Sequence, residues 1–583
     1  MRGTYEYSDF PMDDSFGVKD GEHIPGDVVQ RYLQSYAEHF GVLGFVRCHS
    51  RVETIQHVEE GNGEGDFKWK VTYVNTSEGG SEGEEVKVHA RKLILATGIT
   101  SQPYLPHING QESFDRPLFH TVDMPRHHES VLRNPENRIV VLGGTKSAWD
   151  AVYTAATAGA RVDWIIRDNG HGPCWMAPPY VTPLHKWLEK LVTTRFLTWF
   201  SPCIWADPGA EGAGAKMRSF LHGTWMGRKI VDGFWSVLGN DVVSLNKFDS
   251  HPELKKLQPW ISPFWVASGL SILNYPTNFF DLVTEGKVRI HIDHIETLGE
   301  GGTIHLANSS EPLTDISALV CATGWTPTPS IKFSPSTLPS QLGFPNAPDP
   351  LPSSLVSAAD NEILSRFPRL KDRPSHDSPS TYEPLAADAQ TESQSLHPYR
   401  LTRFMVPAST NLARERSIAF MGVAMTINTP LLAQTQALWI SAFFSGKLSL
   451  NDITREKCPK DLIPLLQKIS AISSFSSPNA AEVQAEDQAE SEANTLYETA
   501  LHTQFGIYRY PGGLGRRNPD FVFDAIPYVD VLLRDLGLRG ARKEGKGLGA
   551  YFEPYGVEDY RGFVGEWIGM EKKNELGDEK KEV

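Results

Sequence analysis

Cysteine is scarce in this chain of 583 residues. Cys48, Cys174, Cys203, Cys321 and Cys458 are five, an odd number, and widely scattered. No CxxC pair and no metal-ligand spacing joins them, so the expectation is reduced thiols in an intracellular, cytoplasmic protein without a metal site. Long apolar runs are also few. The most apolar window, Ala424 to Phe444, contains Asn428, Gln434 and Gln436, which argues against a transmembrane segment and leaves only peripheral membrane contact open. The opening residues, MRGTYEYSDFPMDD, lack the apolar core of a signal peptide. Positive charge is in deficit. A net charge of -15 with no long basic run excludes nucleic acid as a partner.

What is present is aromatic and α/β in pattern. Fourteen Trp, 28 Phe and 18 Tyr are enough for the several cores that this length implies. The most informative stretch is Arg138 to Asp168, RIVVLGGTKSAWDAVYTAATAGARVDWIIRD. Ile139 to Leu142 reads as a buried strand, Gly143-Gly144 as a turn, and a helix from near Ser147 is closed by Gly159. Val162 to Ile166 then reads as a second strand. Strand, glycine turn, helix and strand in about 30 residues is the length of a dinucleotide-binding βαβ unit. Small residues are needed because backbone N–H groups must approach a pyrophosphate at a helix N-terminus. Gly143 makes the tight turn, and Ala148 sits where helix and strand pack closely. Thr145 replaces the usual second glycine. Gly144, Lys146 and Ser147 complete the candidate phosphate-side set. At the end of the second strand an acid would hold a ribose hydroxyl and an arginine a 2′-phosphate. Arg167 precedes Asp168, which favours NADP over NAD. An ordinary β–turn–helix and a solvated Arg167 are the plainer alternatives.

Elsewhere, Asp27 is expected to cap an amphipathic helix whose apolar face carries Val28, Val29, Tyr32, Leu33, Tyr36, Ala37 and Phe40. Val52 to Val58 and Trp69 to Val74 are candidate strands. Leu93-Ile94-Leu95 runs into Ala96-Thr97-Gly98, and Ala318-Leu319-Val320-Cys321 runs into Ala322-Thr323-Gly324. Strands that end in three small residues let a ligand or another backbone come close at the carboxyl end of a parallel sheet. Residues 170–276 are rich in tryptophan (Trp175, Trp187, Trp199, Trp205, Trp225, Trp235, Trp260, Trp265), suggesting either the wall of an apolar substrate tunnel or an aromatic core. Residues 331–400 are rich in Pro, Ser and acid and read as a linker. Helices are expected at Leu462 to Ile469, at Ala480 to His502 after a Ser477-Pro478 start, and beyond residue 520.

Taken together, YSDFPM (Tyr7 to Met12), LILATG, LVCATG, GGTKSA and IAFMGVAMTINTPLLAQTQALWISAFF resemble the flavin-containing monooxygenases, the broad group that includes Baeyer–Villiger and fungal secondary-metabolism enzymes. FDRPLFHTVDMP resembles the family's identifying stretch at Phe114, His120 and Pro125, with Arg116 and Met124 replacing its glycine and tryptophan. The resemblance implies two dinucleotide-binding domains, an NADP domain at 138–330 nested in an FAD domain formed by 1–125 and 401–450, and a helical extension at 451–583. It implies FAD and NADPH as cofactors, with O₂ and a small apolar molecule such as a polyketide as substrates. Hydroxylation, epoxidation, Baeyer–Villiger insertion and heteroatom oxidation all stay open. Asp9, Val52, Thr97, Gly98, Gly422, Asn428, Thr429 and Pro430 are the flavin-side candidates. Gly143 to Ala148, Arg167 and Ala322, Thr323 and Gly324 are those for NADP. No catalytic residue is assigned, and His120 is read as structural. The family's own strand–GxGxxG–helix unit for the ADP half of FAD matches nothing in 1–583, so this chain expressed alone is expected to be poorly soluble or flavin-free and not to consume NADPH with O₂. An inactive NADP-binding relative and an NADP reductase or dehydrogenase using only the Arg138–Asp168 unit are the competing readings.

Overall fold

The computed structural model describes residues 2–58, 66–76, 82–181, 186–206, 213–266, 269–374, 397–466, 482–510, 517–543 and 545–579. The run of Ile139, Val140, Val141 and Leu142 is buried along its whole length, as a strand covered on both faces must be. It lies at the centre of a five-stranded parallel sheet, in the order Val288–Ile292, Arg161–Ile166, Arg138–Leu142, Ala318–Cys321, Leu118–His120. The helix Lys146–Thr157 returns over this sheet and buries Ala148, Ala151, Val152 and Ala155, whose small side chains let it sit close. Trp149 fills the remaining space against Trp164 and Phe279, at ring separations of 5.2 and 4.4 Å. Strand order reverses direction between Arg138–Leu142 and Ala318–Cys321, so a crevice opens at their carboxyl ends.

Leu93–Leu95 pairs in parallel with Ile418–Phe420. The five-stranded sheet lies between these two strands in sequence, which makes one α/β unit nested in another. A second sheet joins Ser50–His57, Trp69–Thr76 and Glu82–Ala90 in antiparallel fashion, with Lys332–Ser334 alongside in parallel.

Several expectations need correction. The first helix spans Gly26–His39 behind Pro25, so Asp27 stands in its first turn instead of capping it. Only Val28 and Tyr32 of its apolar face are buried, while Leu33 and Phe40 are exposed. The expected linker contains the strand Lys332–Ser334 and the helix Ser353–Arg366, where Leu355, Ala359 and Ile363 are fully buried at four-residue spacing. The flanking Pro and Ser hid that period. Residues 375–396 of the linker, the Ser477-Pro478 start and part of the Leu462–Ile469 helix lie outside the described residues; the helix after them runs Glu482–Arg509.

The tryptophan-rich insertion and the C-terminal helices share one core, in which Trp175, Trp205, Trp235 and Trp265 meet Tyr497, Phe505, Phe521 and Tyr528. Buried ion pairs tie the returning segment into it. Arg403 bonds Asp535 at 2.8 Å and also Glu498, and Arg400 bonds Asp349 at 2.6 Å. His502 lies among them, and burial, partly opposed by Glu498, pushes its pKa down to about 4. The folded protein therefore keeps His502 neutral where the unfolded chain, with an ordinary value near 6.5, takes up a proton. Stability on this account is fully present above about pH 6.5 and falls as pH drops towards 4, by up to about 3 kcal/mol. Urea midpoints measured across that range should fall more steeply for the wild type than for His502→Gln. Parallel slopes would assign the acid loss to other groups.

Candidate coenzyme and flavin sites

Two loops close on the glycine turn. Gly143 has φ +139, and a Cβ there would stand 2.5 Å from the carbonyl oxygen of Ala322. A Cβ on Gly144 would stand 2.5 Å from that of Gly172. The glycines are thus required by the approach of the Ala322–Gly324 loop and of the segment after Arg167. Thr145 precedes the helix in an extended conformation, among the described residues without a side-chain cap bond, and Thr145 and Ser147 are exposed. The first N–H groups of a twelve-residue helix therefore face outward at its positive end. That uncapped terminus fits a dinucleotide pyrophosphate. Ala148 is fully buried beneath it. Lys146 turns back instead, onto Asp150 and to 4.7 Å above the Tyr275 ring, so it braces the helix. Thr323 donates its hydroxyl to Tyr104 O, and Tyr104 N donates to Gly324 O at 3.0 Å, which fixes the neighbouring loop.

At the end of the Arg161–Ile166 strand, Arg167 Nη1 donates to Asn169 Oδ1 at 3.0 Å. Asp168 is held by His294 at 2.9 Å and by Asn308 at 3.0 Å. Those partners come from segments far away in sequence, and no local spacing in the sequence could have revealed them.

On the flavin side, Gly98 and Gly422 meet, with φ of +66 and +76. A Cβ on Gly422 would lie 3.6 Å from the Gly98 Cα. The helix Thr429–Phe444 starts at Asn428 with Pro430 in its first turn and no side-chain cap bond. Asn428 is buried, and among the described residues its Nδ2 has no hydrogen-bond partner. An orphaned buried donor at a helix N-terminus fits the electron-rich edge of a flavin ring. One turn further on, Gln434 Oε1 accepts from Ser8 N at 3.1 Å and Ser8 Oγ at 2.7 Å, which docks Asp9 onto the same helix. Asp9 is surface-accessible, yet the protein mass behind it raises its carboxyl above the usual range. Val52 packs against the cluster of Leu95, Phe420 and Val423, and Thr97 is exposed beside Gly98. The phosphate end of FAD fits less well. Among the described residues, Leu93–Leu95 has a partner strand on one side only, and Ile94 is 44% exposed.

His120 is buried, accepts from Val122 N at 3.2 Å and meets the Trp325 ring edge-on. Burial holds its pKa below the usual value, in keeping with a structural role. Of the two readings of the tryptophan-rich stretch, Trp175, Trp205, Trp235 and Trp265 follow the core and not the tunnel wall. Trp225 is exposed, and the Trp260 ring fills the space where a Cβ on Gly172 would stand, next to the glycine turn.

A family model described as pyridine nucleotide-disulphide oxidoreductase matches residues 14–194. An FAD-dependent monooxygenase of Pyrenophora dematioidea is 31% identical over 555 residues, 93% of this chain and 89% of its own length. An FAD-dependent monooxygenase of Aspergillus sclerotiorum is 28% identical over 586 residues, 98% of this chain and 90% of its own. Among solved structures, the polycyclic ketone monooxygenase of Thermothelomyces thermophila covers 91% of this chain and 79% of its own, with TM-score 0.47 and 14% identity.

The glycine turn yields a direct test. Gly143→Ala should weaken binding of NADP⁺ by more than about tenfold and lower the melting temperature, because backbone strain there costs about 1–3 kcal/mol. Ser147→Ala, at an exposed position, should leave the melting temperature unchanged. Fluorescence titration and thermal melts of both variants check this.

Proposed function

The chain belongs to the FAD-dependent monooxygenases, and from that premise we propose that NADPH is its reductant and a small apolar metabolite, polyketide-like in character, its substrate. The observation that carries the coenzyme reading is the uncapped helix N-terminus at Thr145 to Ser147 with Arg167 at the neighbouring strand end. The backbone donors there hold the pyrophosphate, and Arg167 pairs with the 2′-phosphate. Gly143 and the Ala322–Gly324 loop shape the crevice in which the nicotinamide half lies. On the other side, Gly98 and Gly422 permit close approach of a ring system. Asn428 and the helix N-terminus at Thr429 and Pro430 face its polar edge, and the Ser8–Gln434 bonds hold Asp9 against the same helix. FAD, when bound, supplies the redox chemistry with O₂ by which one oxygen atom reaches the substrate. The chain's own residues orient the two cofactors and keep water from the reacting centre, the second task falling to the apolar packing around both loops. Likeness to fungal FAD-dependent monooxygenases supports this substrate class.

Supplied with FAD and O₂, the protein should oxidise NADPH, with oxygen uptake that rises when an apolar ketone or polyketide-like ligand is added. Absence of NADPH oxidation under those conditions would overturn the reading. NADP⁺ should bind roughly ten- to a hundredfold more tightly than NAD⁺, the worth of a charge-assisted contact of about 1.5–3 kcal/mol. Arg167→Ala should narrow that difference, and equal wild-type affinities would remove the assignment.

A separate measurement concerns the open side of Leu93–Leu95. Purified without added flavin, residues 1–583 should carry well under one FAD per chain, because the described residues offer the ring more than they offer the phosphates. Visible absorbance measures this, and a stoichiometric yellow protein would show the phosphate end to be held after all.

A further inference from the structure

Arg167 and Asp168 stand side by side at the strand end where coenzyme choice is made, and they have opposite consequences. A carboxylate aimed at the ribose favours NAD(H) and repels a 2′-phosphate, whereas a guanidinium attracts it. The structure separates the two. Asp168 Oδ1 accepts from His294 Nδ1 at 2.9 Å and from Asn169 N at 2.9 Å, and Asp168 Oδ2 accepts from Asn308 Nδ2 at 3.0 Å. An ionised carboxylate only accepts, so His294 carries its proton on Nδ1. Both oxygens are thus engaged, and the side chain is only 16% exposed.

The partners are themselves fixed from behind. Asp293 Oδ1 accepts from His294 N at 2.8 Å, from Asn308 N at 3.1 Å and from Asn308 Nδ2 at 3.0 Å. Asp293 N in turn donates to Ile166 O at 3.2 Å, the last residue of the strand that leads to Arg167. Ala307 N donates to His294 O at 3.0 Å, which closes the hairpin of Ile295–Gly299 and Thr303–Leu306 between the two clamping residues. Asn308 and His294 are therefore built into one rigid element packed against the coenzyme strand.

We infer that His294 and Asn308 are positioning residues for coenzyme selectivity: they hold the Asp168 carboxylate away from the ribose so that Arg167 alone reads the 2′-phosphate. The inference rests on the NADPH reading above and deepens it. Freed from its clamp, Asp168 would turn towards the ribose, donating no hydrogen bond to a phosphate and accepting from the diol of NAD⁺.

Isothermal titration of NADP⁺ and NAD⁺ tests this without any turnover. His294→Ala/Asn308→Ala should narrow the wild-type preference for NADP⁺ by about tenfold, through both weaker NADP⁺ and tighter NAD⁺ binding. Adding Asp168→Asn to that background should restore the preference, which loss of structure alone would not do. Should the double variant not fold, Asn308→Ala alone frees one carboxylate oxygen and should shift the ratio in the same direction. An unchanged ratio in a folded variant, or failure of Asp168→Asn to restore it, overturns the inference while the NADPH reading stands. A wild type without preference between the coenzymes overturns both.

Discussion

The close approach of Gly143 and Ala322 is the contact on which the rest of the architecture depends. Neighbouring parallel strands end there, and their loops pass so near that a single Cβ would sit 2.5 Å from a carbonyl oxygen. Because the turn has no side chain, the helix Lys146–Thr157 begins directly at the strand ends with its N-terminus open. The same absence at Gly144 lets the segment after Arg167 fold back against the turn, and Trp260 caps that segment at Gly172. The candidate coenzyme crevice and the placement of Arg167 therefore both depend on one constraint on backbone separation.

A second constraint is shared burial. The insertion after Asp168 and the helices after Glu482 each carry more aromatic surface than they can cover alone, and they cover one another. Buried ion pairs give this contact its register. Arg403 is nearly inaccessible and must meet both Asp535 and Glu498, because a buried charge without partners would be strongly destabilising. The segment holding Arg403 leads into Ile418–Phe420 and so to Gly422 and Asn428. Packing of the C-terminal helices thus positions the flavin-side loop, although none of their residues belongs to the candidate flavin set.

Legibility in the sequence tracked the range of the interaction. The βαβ unit could be read because its signals are local: four apolar residues in a row, glycines where the chain must bend, alanines on one helical face. The twin small-residue endings at Gly98 and Gly324 could be read for the same reason. The helix Ser353–Arg366 was missed because its buried Leu355, Ala359 and Ile363 are surrounded by proline and serine that resemble a linker in composition. Composition leaves the tryptophans open between a tunnel wall and a core, because it records how much aromatic surface exists and not what covers it.

By itself, then, while the nested plan came with the family resemblance, the sequence determined the strand–glycine turn–helix–strand unit and the identity of the residues at the candidate coenzyme strand end. Those depend on backbone conformation and on hydrophobic period, which are properties of a few consecutive residues. Only the tertiary structure decided what Asp168 does, since His294 and Asn308 reach it from a hairpin that follows another strand of the sheet. Only the tertiary structure decided that Lys146 braces Asp150 and Tyr275, that Gly98 faces Gly422, and that most of the tryptophans lie in a core. Each of these is a contact between distant segments, fixed by how surfaces pack and by which buried polar groups must find partners.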